Sequence, residues 1–279
     1  PLMVEVSGFG PGKQPMIADF NSDGLTDIGY YDNSGQKAVY RVSTGRAFTN
    51  EQSVSLGWST EDVQAIDFNG DGLPDFVSAS APGPMAVNYS RGVFPDLLAK
   101  SDNGVGGATT IVYAPSTTFD NPRLPFALQL VKSASQSNNR GDVYTSRYDY
   151  AKGLWVNRQF LGFGSVKVID PENNYAVTEF LRNGDTSHTL PVKQRSYDAS
   201  GNLFAKTEYL WTFQTIAPGV NFAYLSAKDN FIYDGNSSGR RTREEYFYGE
   251  TPQYGNLTKT SQLGEVDLVT GTDIPGDSR

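Results

Sequence analysis

Apolar and polar residues alternate one by one along much of this chain. Lys37–Thr44 (KAVYRVST), Thr109–Pro115 (TTIVYAP), Ser165–Asp170 (SVKVID) and Thr207–Phe213 (TEYLWTF) carry this pattern. A period of two sends successive side chains to opposite faces of a strand. Between such runs stand clusters of Asp, Asn, Ser and Gly at 32–35, 101–104, 198–202 and 234–239, the residues that make tight turns. Leu124–Ala134 reads as a further strand and Ser135–Asp142 as a polar loop. Phe94–Lys100 fits either one helical turn or a strand entering a hairpin, and no stretch has the period of an amphipathic helix. The pattern predicts an all-β chain.

One phrase is spelled twice. Ala18–Ile28 reads ADFNSDGLTDI and Ala65–Phe76 reads AIDFNGDGLPDF, with Asp19 and Asp67 48 residues apart. An acidic turn plus about four strands per period is the size of one propeller blade, although a propeller takes about 4–8 of them. The period stops near residue 94, so residues 1–94 are expected to form one region and 95–279 another.

Numbered from its first Asp, each loop places oxygen-bearing side chains at positions 1, 3, 5 and 9. These are Asp19, Asn21, Asp23 and Asp27 in the first loop, and Asp67, Asn69, Asp71 and Asp75 in the second. Gly24 and Gly72 stand sixth, where the chain turns sharply. The carbonyls of Leu25 and Leu73, at position 7, complete the candidate donors. Alternate oxygens in a tight loop suit Ca²⁺, which takes about 6–8 oxygen ligands in flexible geometry. An EF-hand would need Glu at position 12, and Tyr30 and Ser78 stand there. Strand-like DIGYY and DFVSA follow instead of a helix. The expectation is a nine-residue, strand-to-strand Ca²⁺ loop, set against the plainer reading that Asp, Asn and Gly simply make turns.

Composition narrows the classes. There are 31 acidic and 23 basic residues, a net charge of -8, which disfavours nucleic acid or an anionic membrane as partner. With no cysteine, disulfides, thiolate metal sites and cysteine nucleophiles are excluded. No apolar run approaches the roughly 18 residues of a membrane-spanning helix. The absence of disulfides fits a bacterial exported protein or a cytosolic one better than a secreted animal domain, and the chain, which opens on Pro1, is expected to be a piece of something longer. The 16 Tyr, 16 Phe and 29 Gly suit many short strands and turns.

Ala18–Phe48, with its acidic loop and the ending Tyr40, Val42, Gly45 and Phe48, resembles FG-GAP or VCBS-type repeats, which form propellers in integrin α chains and bacterial surface proteins. The run DLLAKSDNGVGGATTIVYAPST, then LPFALQLV, then Arg158–Asp170 (RQFLGFGSVKVID) resembles the middle region of the B component of bacterial insecticidal toxin complexes and of Salmonella plasmid virulence B-type proteins. That family commonly reads REFRGFG, where this chain has Gln159 and Leu161. Tyr197–Leu203, Tyr233–Arg241 and Tyr254–Thr260 resemble Rhs or YD repeats. The resemblance implies a partial propeller of two blades joined to the β-sheet of a shell. Its partners would be other parts of the same polypeptide or toxin-complex subunits, around a toxic domain. The implied location is secreted, with no membrane insertion by this segment.

Enzyme signatures are weak. His188 is the only histidine and sits in a polar turn; no Gly-x-Ser-x-Gly elbow exists. Gly8–Gln14 lacks the spacing and the Ser or Thr of a phosphate loop, and Asn103–Thr109 lacks the third Gly of a dinucleotide fingerprint. Trp58, Trp155 and Trp211 could stack on sugars but more often fill β cores. The tripeptide Arg140–Asp142 could dock an integrin, yet RGD is common by chance in polar loops. The reading is a non-catalytic, Ca²⁺-stabilised β scaffold of a toxin-like protein. The alternatives are a surface adhesin or carbohydrate-binding module and, behind it, a glycosidase-like enzyme.

Overall fold

The computed structural model describes residues 13–58, 62–78, 84–92, 94–183, 188–218, 220–236, 238–249 and 256–274. The described chain is nearly all β, and its helical content is a single 3-10 turn, Ser116–Thr118. It divides into two compact units. The first runs up to Ala99 and takes in Phe126–Gln129; the second comprises Lys100–Pro125 and the chain from Leu130 onward. The sequence divides at 94/95 by its repeat. The structure carries the first unit five residues further and draws Phe126–Gln129 back into it.

The first unit holds two small antiparallel sheets. One is formed by β1 (Pro15–Ala18), β2 (Asp27–Asp32), β3 (Lys37–Arg41) and β4 (Gln52–Ser55), the other by β5 (Val63–Ile66), β6 (Asp75–Ser78) and β7 (Ala86–Asn88). In both, the acidic loop joins the first strand to the second, and the register is the same: Ala18 faces Asp27, and Ile66 faces Asp75. Met16, Tyr31, Ala38, Val63 and Phe76 form one buried cluster drawn from both sheets, with Phe20, Trp58 and Ala65 against it. The Phe20 ring stacks on Phe76 at 5.7 Å and lies 4.8 Å from Tyr40. Gly29 leaves the room, since a Cβ there would sit 2.8 Å from the Val39 carbonyl and 3.3 Å from the Phe20 ring. Each sheet is blade-sized, but a propeller, which is a closed ring of such sheets, is not seen among the described residues.

The second unit is an open sheet of eleven strands. They are β8 (Lys100–Asp102), β9 (Ala108–Pro115), β10 (Gln129–Ser137), β11 (Val143–Ala151), then, after a hairpin of β12 (Trp155–Val156) and β13 (Gln159–Phe160), β14 (Ser165–Ile169), β15 (Tyr175–Asn183), β16 (His188–Tyr197), β17 (Leu203–Ala217), β18 (Val220–Ile232), β19 (Arg240–Tyr248) and β20 (Leu257–Val266). Apart from the β12–β13 hairpin, each strand lies beside the next in the chain, from β8 at one edge to β20 at the other. Part of the expected polar loop is strand: Ser135–Ser137 belong to β10, and the RGD tripeptide forms the tip of the β10–β11 turn. Phe94–Lys100 is a turn at Pro95–Asp96 followed by extended chain. Turns are clasped by their own side chains. Asp170 accepts from the amide N–H and the side chain of Asn174, and Asp198 does the same with Asn202.

The sheet buries few apolar side chains: among its described residues only Ala114, Leu161, Ala227, Phe231 and Val266 are fully buried. Its main buried polar feature is ionic. Asp229, 1% exposed, accepts two hydrogen bonds from Arg243 (both 2.8 Å) and one from Arg241 (2.7 Å). Register sets Asp229 directly across from Arg243. Arg241 also reaches the carbonyls of Leu268 and Val269 (3.4 and 3.3 Å), tying down the turn beyond β20. Burial alone would push the Asp229 carboxyl up; the hydrogen bonds and charges of Arg243 and Arg241 outweigh it and hold the group below its ordinary value. A folded pKa below the unfolded one gives stabilisation that is complete above the unfolded value, about 3.9. It is lost as pH falls through the folded one. Asp229→Asn is therefore expected to destabilise the chain by about 3–5 kcal/mol at neutral pH. It should also flatten the loss of stability below about pH 4. Denaturant titrations of both proteins across pH 2–7 check this, and parallel pH profiles would refute it.

Candidate metal loops

Asp27 and Asp75 end the two loops and are 1% and 0% exposed. Among the described residues neither carboxylate is paired with a cation; backbone N–H groups bond both oxygens of each. Asp27 accepts from the N–H of Phe20 (2.8 Å) with one oxygen and from that of Ser43 (2.7 Å) with the other. Asp75 accepts from Phe68 (3.0 Å) and Asn69 (3.3 Å) with one oxygen and from Ser90 (2.8 Å) with the other. A buried carboxylate is tolerated when its oxygens accept such bonds. Each therefore ties the start of its own loop to chain that returns 16 or 15 residues later. The sequence marks both as ligands; the partners Ser43 and Ser90 carry no motif that would reveal them.

The outer donors lie at the surface. Asp19 accepts from the N–H of Asp23 (3.1 Å) and of Gly24 (2.7 Å). Asn21 donates to Asp23 (2.9 Å), and Asp23 accepts from the N–H of Leu25 (2.8 Å). The second loop repeats the scheme: Asp67 accepts from Asp71 (3.0 Å) and Gly72 (2.9 Å), Asn69 donates to Asp71 (2.9 Å), and Leu73 donates to Asp71 (2.7 Å). The side chains at positions 1, 3 and 5 thus crowd one short turn, with oxygens as the available ligating atoms. Turned to the loop's own amides, they form no preformed cage, and among the described residues no three acidic or imidazole side chains gather closely enough to hold an ion. The donor chemistry fits a hard cation. Seating one requires these oxygens to be released from the loop's own N–H groups, the amide oxygens of Asn21 and Asn69 included, which accept from Asp23 and Asp71.

The two loops are held differently. Around Gly24 there is open space, and Leu25 is exposed. Leu73 is buried, a Cβ on Gly72 would meet the Phe94 ring at 2.8 Å and Ala127 at 3.3 Å, and Gln129 donates to the Asp71 carbonyl at 2.8 Å. Gln129, 58 residues away, is invisible to any reading of the loop. Of the other singled-out residues, Trp58 packs against the core and Trp211 donates to the Pro191 carbonyl (2.7 Å). His188 opens β16, and its side chain lies outside the described residues. Gly8–Gln14 falls mostly outside them, as does most of Tyr254–Thr260's leading turn.

The profile of a family described as the insecticide toxin TcdB middle/N-terminal region matches residues 42–189, just over half of the 279. The chain belongs to this TcdB family. The matched region contains the second acidic loop and β5 through the start of β16; the first loop precedes it. Solved structures agree in fold. A mutant Photorhabdus luminescens Tc holotoxin pore superposes with a TM-score of 0.72 at 16% identity over 94% of this chain. A TcdB2–TccC3 complex and the same complex without its hypervariable C-terminal region both superpose with 0.69, at 16% and 15% identity, over 93%. The chain spans only 16–17% of the length of those chains. No curated protein sequence matches it.

Replacing Asp75 or Asp27 by Asn turns one backbone-facing oxygen into a donor against an N–H. Each substitution is expected to cost about 2–4 kcal/mol in the presence of a chelator, as read by urea denaturation. Both loop glycines have left-handed φ, +84° and +88°. Each alanine substitution carries a strain of about 1–2 kcal/mol, and only Gly72→Ala adds a clash with Phe94. Gly72→Ala should be the more destabilising; equal losses would contradict the different seating of the loops.

Proposed function

We propose that this TcdB-family chain is a scaffold segment of a secreted toxin complex, with no catalytic step of its own. In this reading the two small sheets are FG-GAP/VCBS-type blades of a propeller stiffened by Ca²⁺, and the eleven-stranded sheet is part of an Rhs/YD-like shell that encloses or docks a toxic domain. Other segments of the same polypeptide and toxin-complex subunits are its partners. The observation that carries the reading is the long, single-layer meander with its few buried apolar side chains. A wall with two accessible faces is what enclosure requires. The structures it resembles are Tc toxin assemblies, which supports the same role.

The blade reading is supported by Phe68. It occupies the same loop position as Phe20, which stacks on the neighbouring sheet's Phe76, yet Phe68 is 43% exposed with only Tyr89 beside it. A further blade would cover it as the second sheet covers Phe20. The Ca²⁺ reading assigns Asp19, Asn21, Asp23, Asp27 and the Leu25 carbonyl to one ion, and Asp67, Asn69, Asp71, Asp75 and the Leu73 carbonyl to another. Asp27 and Asp75 also close the loops through their backbone hydrogen bonds. Bound Ca²⁺ would neutralise clustered carboxylates and lock the turn.

Thermal melts in Ca²⁺ and in chelator test this. The parent is expected to melt higher with Ca²⁺, and Asp23→Ala and Asp71→Ala should each remove part of that gain while leaving the chelated melting point near that of the parent. Unchanged melting with no Ca²⁺ retained by elemental analysis would rule the ion out.

A further inference from the structure

The turn after β9 and the turn after β11 are joined by a buried asparagine. Asn121 donates to the carbonyls of Ser116 and Tyr150 (both 3.1 Å), and its own side-chain oxygen accepts from the Gly153 N–H (2.7 Å). Beside it the Asp120 carbonyl accepts from the Lys152 N–H (2.7 Å). Gly153 is packed so tightly that a Cβ would lie 2.7 Å from Leu124. Lys152 takes a left-handed φ of 58°. Near the end of β15, Arg182 donates to the Lys152 carbonyl and covers Gly164, where a Cβ would be 2.8 Å from its guanidinium.

This frame walls a cavity of about 320 Å³ with Pro122 and Leu154 among its lining. Three cations line it, Arg123, Lys152 and Arg182, against one carboxylate, Asp120. The local balance is +2 in a chain of net charge -8. Among the described residues no carboxylate stands within ion-pair distance of any of the three, although eight such pairs occur elsewhere. Burial first, and then the charge of Arg123, lower the pKa of Arg182. The guanidinium is thus held where its charged form is disfavoured. Like charges left without a counter-ion repel one another, and a bound anion relieves that repulsion.

We propose that this cavity binds the phosphoryl group of a small phosphorylated molecule. A phosphate monoester carries a charge of about −1.5 to −2 at neutral pH, which matches the local +2; a single carboxylate does not. Guanidinium forks fit phosphate oxygens two at a time, and Lys152 supplies a point charge. A volume near the lower end of ligand pockets, about 300 Å³, leaves room for a small organic group beside the phosphate. The Asn121 frame fixes the backbone from which Lys152 projects, and the hydrogen bond to the Lys152 carbonyl holds Arg182, which lowers part of the ordering cost of binding.

Titration of the chain with inorganic phosphate and with glycerol phosphate tests this, with calcium omitted so that the outcome is independent of the metal loops. Calorimetry and thermal melts are compared with sodium chloride at equal ionic strength. Saturable binding is expected, weakened roughly tenfold or more by Arg123→Gln and by Lys152→Gln, as the loss of one charged hydrogen bond implies. Both side chains are exposed and lie outside the Asn121 hydrogen bonds, so the variants keep the fold. Lys100→Gln, which removes a cation from elsewhere on the sheet, should bind as the parent does. Tighter binding of glycerol phosphate than of inorganic phosphate identifies a free phosphate ester as the occupant. The proposal is overturned if neither compound binds beyond the chloride control, or if both cavity variants bind with parental affinity.

Discussion

Two carboxylates shut away from water hold the first unit together. Asp27 and Asp75 each gather amide N–H groups from the start of a loop and from chain more than a dozen residues onward. An unsatisfied ion at such a depth would be prohibitive; with both oxygens occupied by backbone, it becomes a fixed point. It sets where β2 and β6 begin, aligns them with β1 and β5, and anchors the strand returning after β3 or β7. The exposed donors at positions 1, 3 and 5 are thereby freed from holding the corner. Each loop combines a buried acid that shapes it with surface oxygens that accept from its own amides.

The second unit solves stability in another way. A sheet with so few buried apolar side chains leans on its ladder of hydrogen bonds and on cross-strand neighbours. Tyr175 stacks on Tyr197 at 4.7 Å, Arg195 meets Glu179 at 2.8 Å, and Lys193 meets Glu208 at 3.2 Å. Such half-buried pairs on the sheet face contribute on the order of 1 kcal/mol each. The buried group of Asp229 with Arg241 and Arg243 is of a different order, because removing its anion strands two guanidinium groups.

The alternation of KAVYRVST, TTIVYAP, SVKVID and TEYLWTF predicts strands, and β3, β9, β14 and β17 lie there. The turn clusters at 32–35, 101–104, 198–202 and 234–239 fall between or at the ends of strands for the same local reason. The duplicated loop was legible because its period and spacing are linear features. What the linear pattern hides is pairing across distance. Gln129 seats the second loop from 58 residues away, and LPFALQLV splits, its middle, Phe126–Gln129, grouping with the small sheets while β10 begins only at Gln129. Arg123, Lys152 and Arg182 share a cavity through a meander register that no periodicity encodes. The backbone clamp at the ninth loop position depends on Ser43 and Ser90, which contribute only main chain to it.

The neighbour-next-to-neighbour order of the long sheet bears on how it is made. Apart from the β12–β13 excursion, every strand from β8 to β20 pairs with those just before and after it in the chain. Each addition closes a short loop, whose entropy cost is small, and none waits for a distant segment. The sheet can therefore grow from one end in the direction of synthesis, strand by strand, at the low contact order that favours rapid folding. A sheet assembled this way pairs each new strand with the one made just before it, so no edge waits long for its partner.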